Sequence, residues 1–373
     1  MPVTVQAQRL PTVESLGVLE PVAHFYGAMP TGVTVSRHGR IFVNFPKWGD
    51  EVAFTVAEIR EGQSVAYPDD TINQADLNRP AAALVSAQSV VVDPADRLWI
   101  LDTGSLLFQP TEHGGPKLVC VDLKSNKVIQ TILFPQDVAL PSSYLNDVRF
   151  DLRRGDEGMA FITDSSDQGP NGIIVVDLAS GESFRRLHDH PSTKAERLQS
   201  FLPIIEGRPL MEIQPNGATR PLIKMGSDGI AIGANGERLY YCPLASRRLY
   251  SVDTDALADR ALDDYTVATT VVDEGDKGGG ADGLEADAEG NIYATNYEQN
   301  AIIRRRPGRE WETVAHDPRL LWPDTLSIAT DGYLYVMVNQ LHRQARFHKG
   351  RDLRRKPYTL FRIRIDAEPV LLR

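Results

Sequence analysis

Apolar and polar residues alternate with a period of two along most of the chain, in short runs broken by turns containing Gly, Asp or Asn. Such alternation is the mark of strands with one face in a core. Six stretches share a fuller pattern: a small or polar pair, an apolar strand, a turn and a second strand. They read PTGVTVSRHGRIFV, AQSVVVDPADRLWIL, LNDVRFDLRRGDEGMAFI, SDGIAIGANGERLYY, ADGLEADAEGNIYAT and PDTLSIATDGYLYVM. Turns such as RHGR, PADR, ANGE, AEGN and TDGY suit hairpins between apolar strands. The first polar positions are Thr31, Gln88, Asn146, Asp228, Asp282 and Asp324, with successive separations of 57, 58, 82, 54 and 42 residues. Four strands with their turns take roughly 40–50 residues. The pattern therefore predicts an all-β chain, a six-bladed β-propeller formed by residues 1–373 as one domain.

Segments such as KLVCVDL, KVIQTILF, GIIVVDL, RLYSVD and AIIRRRP supply the outer strands, and TLFRIRID completes the last blade. A strand near PVAHFYG closes the ring and so protects the sheet edges. The long interval between Asn146 and Asp228 holds an insertion at about residues 190–224, which reads equally as a binding lid and as a surface loop. Helix signals are few, and TKAERLQSFL is the best short candidate.

This geometry carries a chemical expectation. The innermost strand of each propeller blade lines the central channel, so the six polar residues that begin equivalent strands should ring one channel mouth. Three carboxylates in a narrow mouth raise one another's pKa unless a cation compensates. An oxygen-rich set without His or Cys suits a hard divalent cation, calcium before zinc. Asn146, Asp228 and Asp282 are the expected metal ligands, and Asp282 and Asp324 the expected catalytic carboxylates. A structural use of these residues as turn caps, or a ligand site without metal, are the alternatives. A second tier lies at the ends of the following strands, which run antiparallel and return toward the same face. Asp102, Asp164, Asn296 and Asn339, with Gln88 of the ring, are the expected ligand-binding residues, with turn capping again the alternative.

Composition adjusts this picture modestly. Hydrophobic residues make up 42% and charged residues 24% of the 373, ordinary values for a globular chain. The net charge of −10 argues against nucleic acid or an anionic membrane as partner. Cys120 and Cys242 are far apart and fall within strand patterns, which predicts buried free thiols. No basic segment followed by an apolar run marks an export signal, so a cytoplasmic monomer acting on a small molecule is the expectation, with an exported protein trimmed of its signal as the alternative. The chain has no nucleophile elbow, no HExxH and no phosphate-binding loop. GDKGGG, residues 275–280, reads as a flexible connection. His188 and His190 read as a strand end rather than a metal pair, and the basic run from His342 to Arg364 as a solvated loop.

Longer motifs carry a family resemblance. LVSAQSVVVDPADRLWILDTG, YLNDVRFD with FITDSS, GERLYYCPLASRRLYSV and LWPDTLSIATDGYLYVMVNQL resemble the Yellow/major royal jelly proteins in order and spacing, over roughly residues 20–370. Insect members carry a cysteine in the segment that here reads DPADRLW with Ala95, so their disulfides and secretion are not carried over, and a bacterial-type member is implied. The family's fold is a six-bladed propeller. Its functions are varied: dopachrome conversion, binding of biogenic amines, and nutritional or structural roles. GADGLEADAEGNIYAT is similar, more distantly, to a segment of the gluconolactonase/senescence-marker propellers, and the likeness puts Asp282 at their catalytic aspartate, with Asn146 and Asp228 at related ring positions. Their metal-binding glutamate has no clear match here. Three functions follow as expectations: a metal-assisted lactonase-like hydrolase or isomerase, a dopachrome-type tautomerase, and a non-catalytic binder of small amines.

Overall fold

The computed structural model describes residues 15–373 except 198–199, 214–215, 222–223 and 309. Six four-stranded antiparallel sheets succeed one another along the chain, each in simple up-and-down order. Their first strands are Gly32–Val35, Ala87–Val92, Leu145–Asp151, Ser227–Ile232, Leu284–Ala286 and Pro323–Ile328. Each first strand neighbours those of the preceding and following sheets, and the sixth neighbours the first, so the inner strands form a closed ring. The result is the six-bladed β-propeller that the repeat predicts. The sixth blade is built from both ends of the chain. Pro323–Ile328, Tyr333–Val338 and Tyr358–Arg364 are joined by Leu19–Phe25, which pairs with Tyr358–Arg364 from Leu19 opposite Ile363 to Phe25 opposite Tyr358.

Blade faces bury the alternating apolar residues against the next blade. Trp99 of the second blade is fully buried and stacks on Phe150 of the third, with ring centroids 5.3 Å apart. Emptying such a site costs about 3–5 kcal/mol. Tight turns between the first two strands place Gly39, Gly236, Gly290 and Gly332 at positive φ. In the second blade Asp96 takes this conformation instead, at φ 63°, which Asp tolerates better than most residues.

The insertion forms two short ribbons, Ile204–Ile205 with Arg208–Pro209 and Met211–Ile213 with Thr219–Pro221. The expected helix in TKAERLQSFL does not form among the described residues. A short 3₁₀ turn, Pro191–Thr193, precedes an irregular segment, and Pro203 follows the stretch closely. Short helices instead follow the third strand of the fourth blade, at Thr254–Ala258 and Asp264–Ala268, capped by Asp253 and Asp263. The 275–280 connection is packed rather than flexible. Lys277 is buried and donates to the Arg248 carbonyl, and a Cβ at Gly280 would stand 2.1 Å from the Tyr297 hydroxyl. Cys120 and Cys242 are free and buried. No helix among the described residues is long and apolar enough to cross a membrane.

Candidate functional site

The inner strands begin with an irregularity that positions the polar residues. In the second, third, fourth and sixth blades the ladder register shifts at Gln88, at Asn146–Asp147, at Asp228–Gly229 and at Asp324–Thr325. A bulge of this kind re-aims a side chain that regular pleating would send into the blade face. In the fifth blade Asp282 and Gly283 precede the strand, and both backbone amides donate to the Thr295 hydroxyl. The first blade has no shift, since Gly32 pairs directly with Asn44.

Five of the six expected ring residues, Gln88, Asn146, Asp228, Asp282 and Asp324, line one cavity of about 210 Å³ at the channel mouth. Thr31 does not. It is fully buried and its hydroxyl accepts a hydrogen bond from Asn44, whose amide also bonds the Ala87 and Gln88 carbonyls. The regular start of the first blade keeps Thr31 in this interblade seam.

The cavity floor is acidic. Asp228, Asp282 and Asp324 are buried, and none forms an ion pair among the described residues. Asn146 donates to Asp228 in a short contact, the Trp322 indole donates to Asp282 at 2.7 Å, and Asn339 donates to Asp324 at 2.5 Å. Burial raises all three carboxyl pKa values, and their mutual repulsion adds to it for Asp228 and Asp324. Asp282 rises to about 6, restrained first by the bond from Trp322, and Asp228 and Asp324 are likewise raised well above the usual carboxylate range. The three carboxyls therefore titrate as one coupled group whose charged forms disfavour one another. Beneath the floor, Arg149 is occupied by Asp147 at 2.9 Å and Glu285 at 3.5 Å, and does not neutralise the three.

The side wall is aromatic. Trp48 stacks on Phe108 at 5.2 Å, Phe108 lies 4.9 Å from Tyr144, and the Tyr144 hydroxyl accepts from Trp48 at 2.6 Å and donates to Gln88 at 3.0 Å. Leu107 and Phe108 both have positive φ, at 53° and 59°, unfavourable for such side chains. Trp322 is held likewise at φ 60°, sandwiched between Tyr297 at 4.3 Å and His342 at 6.0 Å. Arg346 and Phe347 close the cavity from above, with Glu212 contributed by the insertion. Two sequence expectations change here. The run beginning at His342 is not a solvated loop, because His342 and Phe347 are buried and Arg346 faces the cavity. The insertion also reaches the mouth: Glu206 binds His342 at 3.0 Å and pairs with Arg343.

The second tier divides. Asn339 touches the floor through Asp324 and also donates to Pro30, tying the sixth blade to the first. Asp102, Asp164 and Asn296 are not cavity-lining residues. Asp102 accepts from the amides of Val85, Ser86 and Gly104 and pairs with Lys117 at 2.8 Å. Asp164 accepts from the Tyr144 amide and pairs with Arg185 at 2.8 Å. Asn296 caps the Gln299 amide at 3.1 Å. Bound in this way, these side chains fix the loops at the strand ends rather than face the cavity. His188 and His190 do not meet on a common point either: His188 bonds Arg185 and His190 bonds Ser192.

The donor chemistry of the floor fits a hard cation, with oxygens only and no fixed positive neighbour. The arrangement is not a finished cage. Among the described residues no cluster of three or more His, Cys, Asp or Glu stands ready to hold a metal. Binding would require Asn146 to turn its amide oxygen inward, giving up its bond to Asp228 in exchange for the cation.

Comparison with known proteins agrees with this architecture. The major royal jelly protein family model matches residues 85–366. Major royal jelly protein 1 of Apis mellifera is 26% identical over 230 residues, covering 58% of this chain and 48% of that protein. Protein yellow of Drosophila pseudoobscura pseudoobscura is 29% identical over 259 residues, covering 64% of this chain and 42% of that protein. The chain thus spans less than half the length of these curated relatives. Among solved structures, a calcium-binding protein, regucalcin, from Agrobacterium tumefaciens superposes with a TM-score of 0.56 at 15% identity, covering 98% of this chain and 100% of that one. A putative gluconolactonase superposes at 0.55 and 10% identity, covering 96% and 95%. At these identities the structural likeness speaks for the propeller alone, whereas the family match spans most of the blades: the chain belongs to the major royal jelly protein family.

Proposed function

We propose that the protein is a small-molecule enzyme that uses a divalent cation, calcium by donor chemistry, at the channel mouth, as a lactonase-like hydrolase or ring isomerase. The observation that carries this reading is the floor of three buried carboxylates, Asp228, Asp282 and Asp324, with no ion-pair partner among the described residues. Asn146, Asp228 and Asp282 would hold the cation. When bound, such an ion polarises a carbonyl oxygen and lowers the pKa of water.

The remaining work falls to the chain's own groups. Asp282, with a pKa near 6, is matched to accept a proton close to neutrality from a water or a ring carbon. Trp322 holds its second oxygen and fixes the direction of the first. Asp324, oriented by Asn339 and with a carboxyl pKa raised by burial, is suited to return a proton to a leaving oxygen. The aromatic wall and Phe347 exclude water and favour a flat ring. That wall also supports a second reading, a dopachrome-type tautomerase, in which Asp282 removes a ring proton without hydrolysis. A third, a carrier of protonated amines, draws on the same acid floor.

One experiment separates them: sugar lactones, aromatic lactones and an aminochrome are incubated with the protein, with calcium and with chelator. Calcium-dependent lactone opening that falls at least ~100-fold in Asp282→Asn is the expected result, as for loss of a general base. Aminochrome decay above background, with lactones inert, would favour the tautomerase. Inertness toward every compound, with calorimetric heat on adding amines, would replace catalysis by carriage.

A further inference from the structure

The acid floor has a counterpart on the opposite side of the same cavity. Arg346 sits in a short 3₁₀ turn, Ala345–Phe347, in the long crossing between the second and third strands of the sixth blade. Its guanidinium lies 4.6 Å from the Phe347 ring and 5.7 Å from the Phe108 ring. It makes no hydrogen bond or ion pair among the described residues, and its Nε is fully shielded from solvent without a partner. Neighbouring arginines differ: Arg343 pairs with Glu206, and Arg354 with Asp50 and Asp352. Arg149 and Arg185, whose side chains are largely buried, are both ion-paired. Glu212 and Asp167 face the same cavity without contacting Arg346.

An arginine does not shed its proton, so a guanidinium whose Nε is shielded without a partner carries a desolvation cost that an incoming anion offsets. Its planar fork matches a carboxylate with two parallel bonds. The aromatic rings on either side leave the fork's free edge as the polar surface at that end. A cavity of about 210 Å³ is smaller than the ~300–1,000 Å³ of drug-sized sites, so the occupant is a compact one- or two-ring molecule.

We propose that Arg346 is a specificity-determining residue, and that the cavity takes a flat ring bearing a carboxylate at the end remote from the acid floor. This rests on reading the cavity as a small-molecule site but does not require the lactonase chemistry. The ring stacks on the aromatic wall, its carboxylate meets Arg346, and its opposite end faces the acid floor.

The test uses the full chain with calcium and two probes of the same skeleton, phthalide and 5-carboxyphthalide, followed by calorimetry and by ring opening. The wild type should bind the carboxylated probe at least tenfold more tightly. Arg346→Gln should abolish that preference, and Arg346→Lys should retain part of it, because a lysine keeps the charge but loses the fork. Thermal melts of both variants should match or exceed the wild type, since both remove the Nε that is shielded without a partner. Equal binding of the two probes by the wild type, or a tenfold preference that survives in Arg346→Gln, would overturn the proposal. A preference that depends on Arg346 while neither probe is hydrolysed would uphold it and discard the lactonase reading alone.

Discussion

Asp228 illustrates how function and stability pull apart at single residues. Its carboxyl is pushed well above the usual range by burial and by Asp282 and Asp324. The folded protein thus keeps a proton that the unfolded chain releases above about pH 4. A raised carboxyl pKa contributes stability at low pH that is lost as pH climbs toward the folded value. Asp228→Asn removes the titration. Without divalent cation, its Tm at pH 8 should exceed that of the wild type by roughly 2 °C or more, with the gap closing toward pH 4. Calcium should then raise the wild-type Tm and leave the variant's unchanged. A variant that melts below the wild type at pH 8 would contradict this account. The ring aspartates were legible from the repeat because a polar residue recurs at each inner-strand start. Trp48, Phe108, Tyr144, Trp322 and Arg346 were not. They come from connections of different lengths, and three of the segments depend on positive φ or on 3₁₀ turns that no alternation encodes.

Between residue and fold stand the hairpin ends. Asp102 and Asp164 occupy equivalent register positions, opposite Ala87 and Leu145, and each clamps the loop that enters its blade. From the sequence they could equally have been ligand contacts, since both roles call for an acid at a strand end. The partners decide it: Lys117, 15 residues away, is on the adjacent strand, and Arg185, 21 residues away, is two strands over in the same sheet. Asp102→Ala should therefore act on folding: it strands the buried Lys117 ammonium and three backbone amides, at about 3–5 kcal/mol. Urea denaturation reads this directly, and a loss under ~1 kcal/mol would return Asp102 to the list of ligand contacts. The bulges at the inner-strand starts are the element-scale feature that the alternation missed. They account for four of the five ring residues that face the cavity, Gln88, Asn146, Asp228 and Asp324, whereas Thr31 precedes a strand that starts in regular register and does not face it.

At the scale of the whole molecule, ring closure through Leu19–Phe25 was foreseeable, because a blade count of six left one outer strand unassigned and one early apolar run to fill it. Removing residues through Phe25 should expose the edge of Tyr358–Arg364 and the apolar face beside it. The shortened chain should melt at least several degrees lower and associate at micromolar concentration, as light scattering would report; a monomer of unchanged Tm would show that the strand is dispensable.

That same strand sets an order in time. Leu19 finds its partner at Ile363, so a nascent chain carries one half of the seam through the synthesis of five blades before it obtains the other. Blades one to five can each fold as they emerge, since their strands are neighbours in sequence. The cavity cannot, because Asp324, Asn339 and Arg346 all belong to the blade that waits. The site is thus the last thing the protein makes, and a chain interrupted anywhere in its final blade would be largely folded and yet unable to bind.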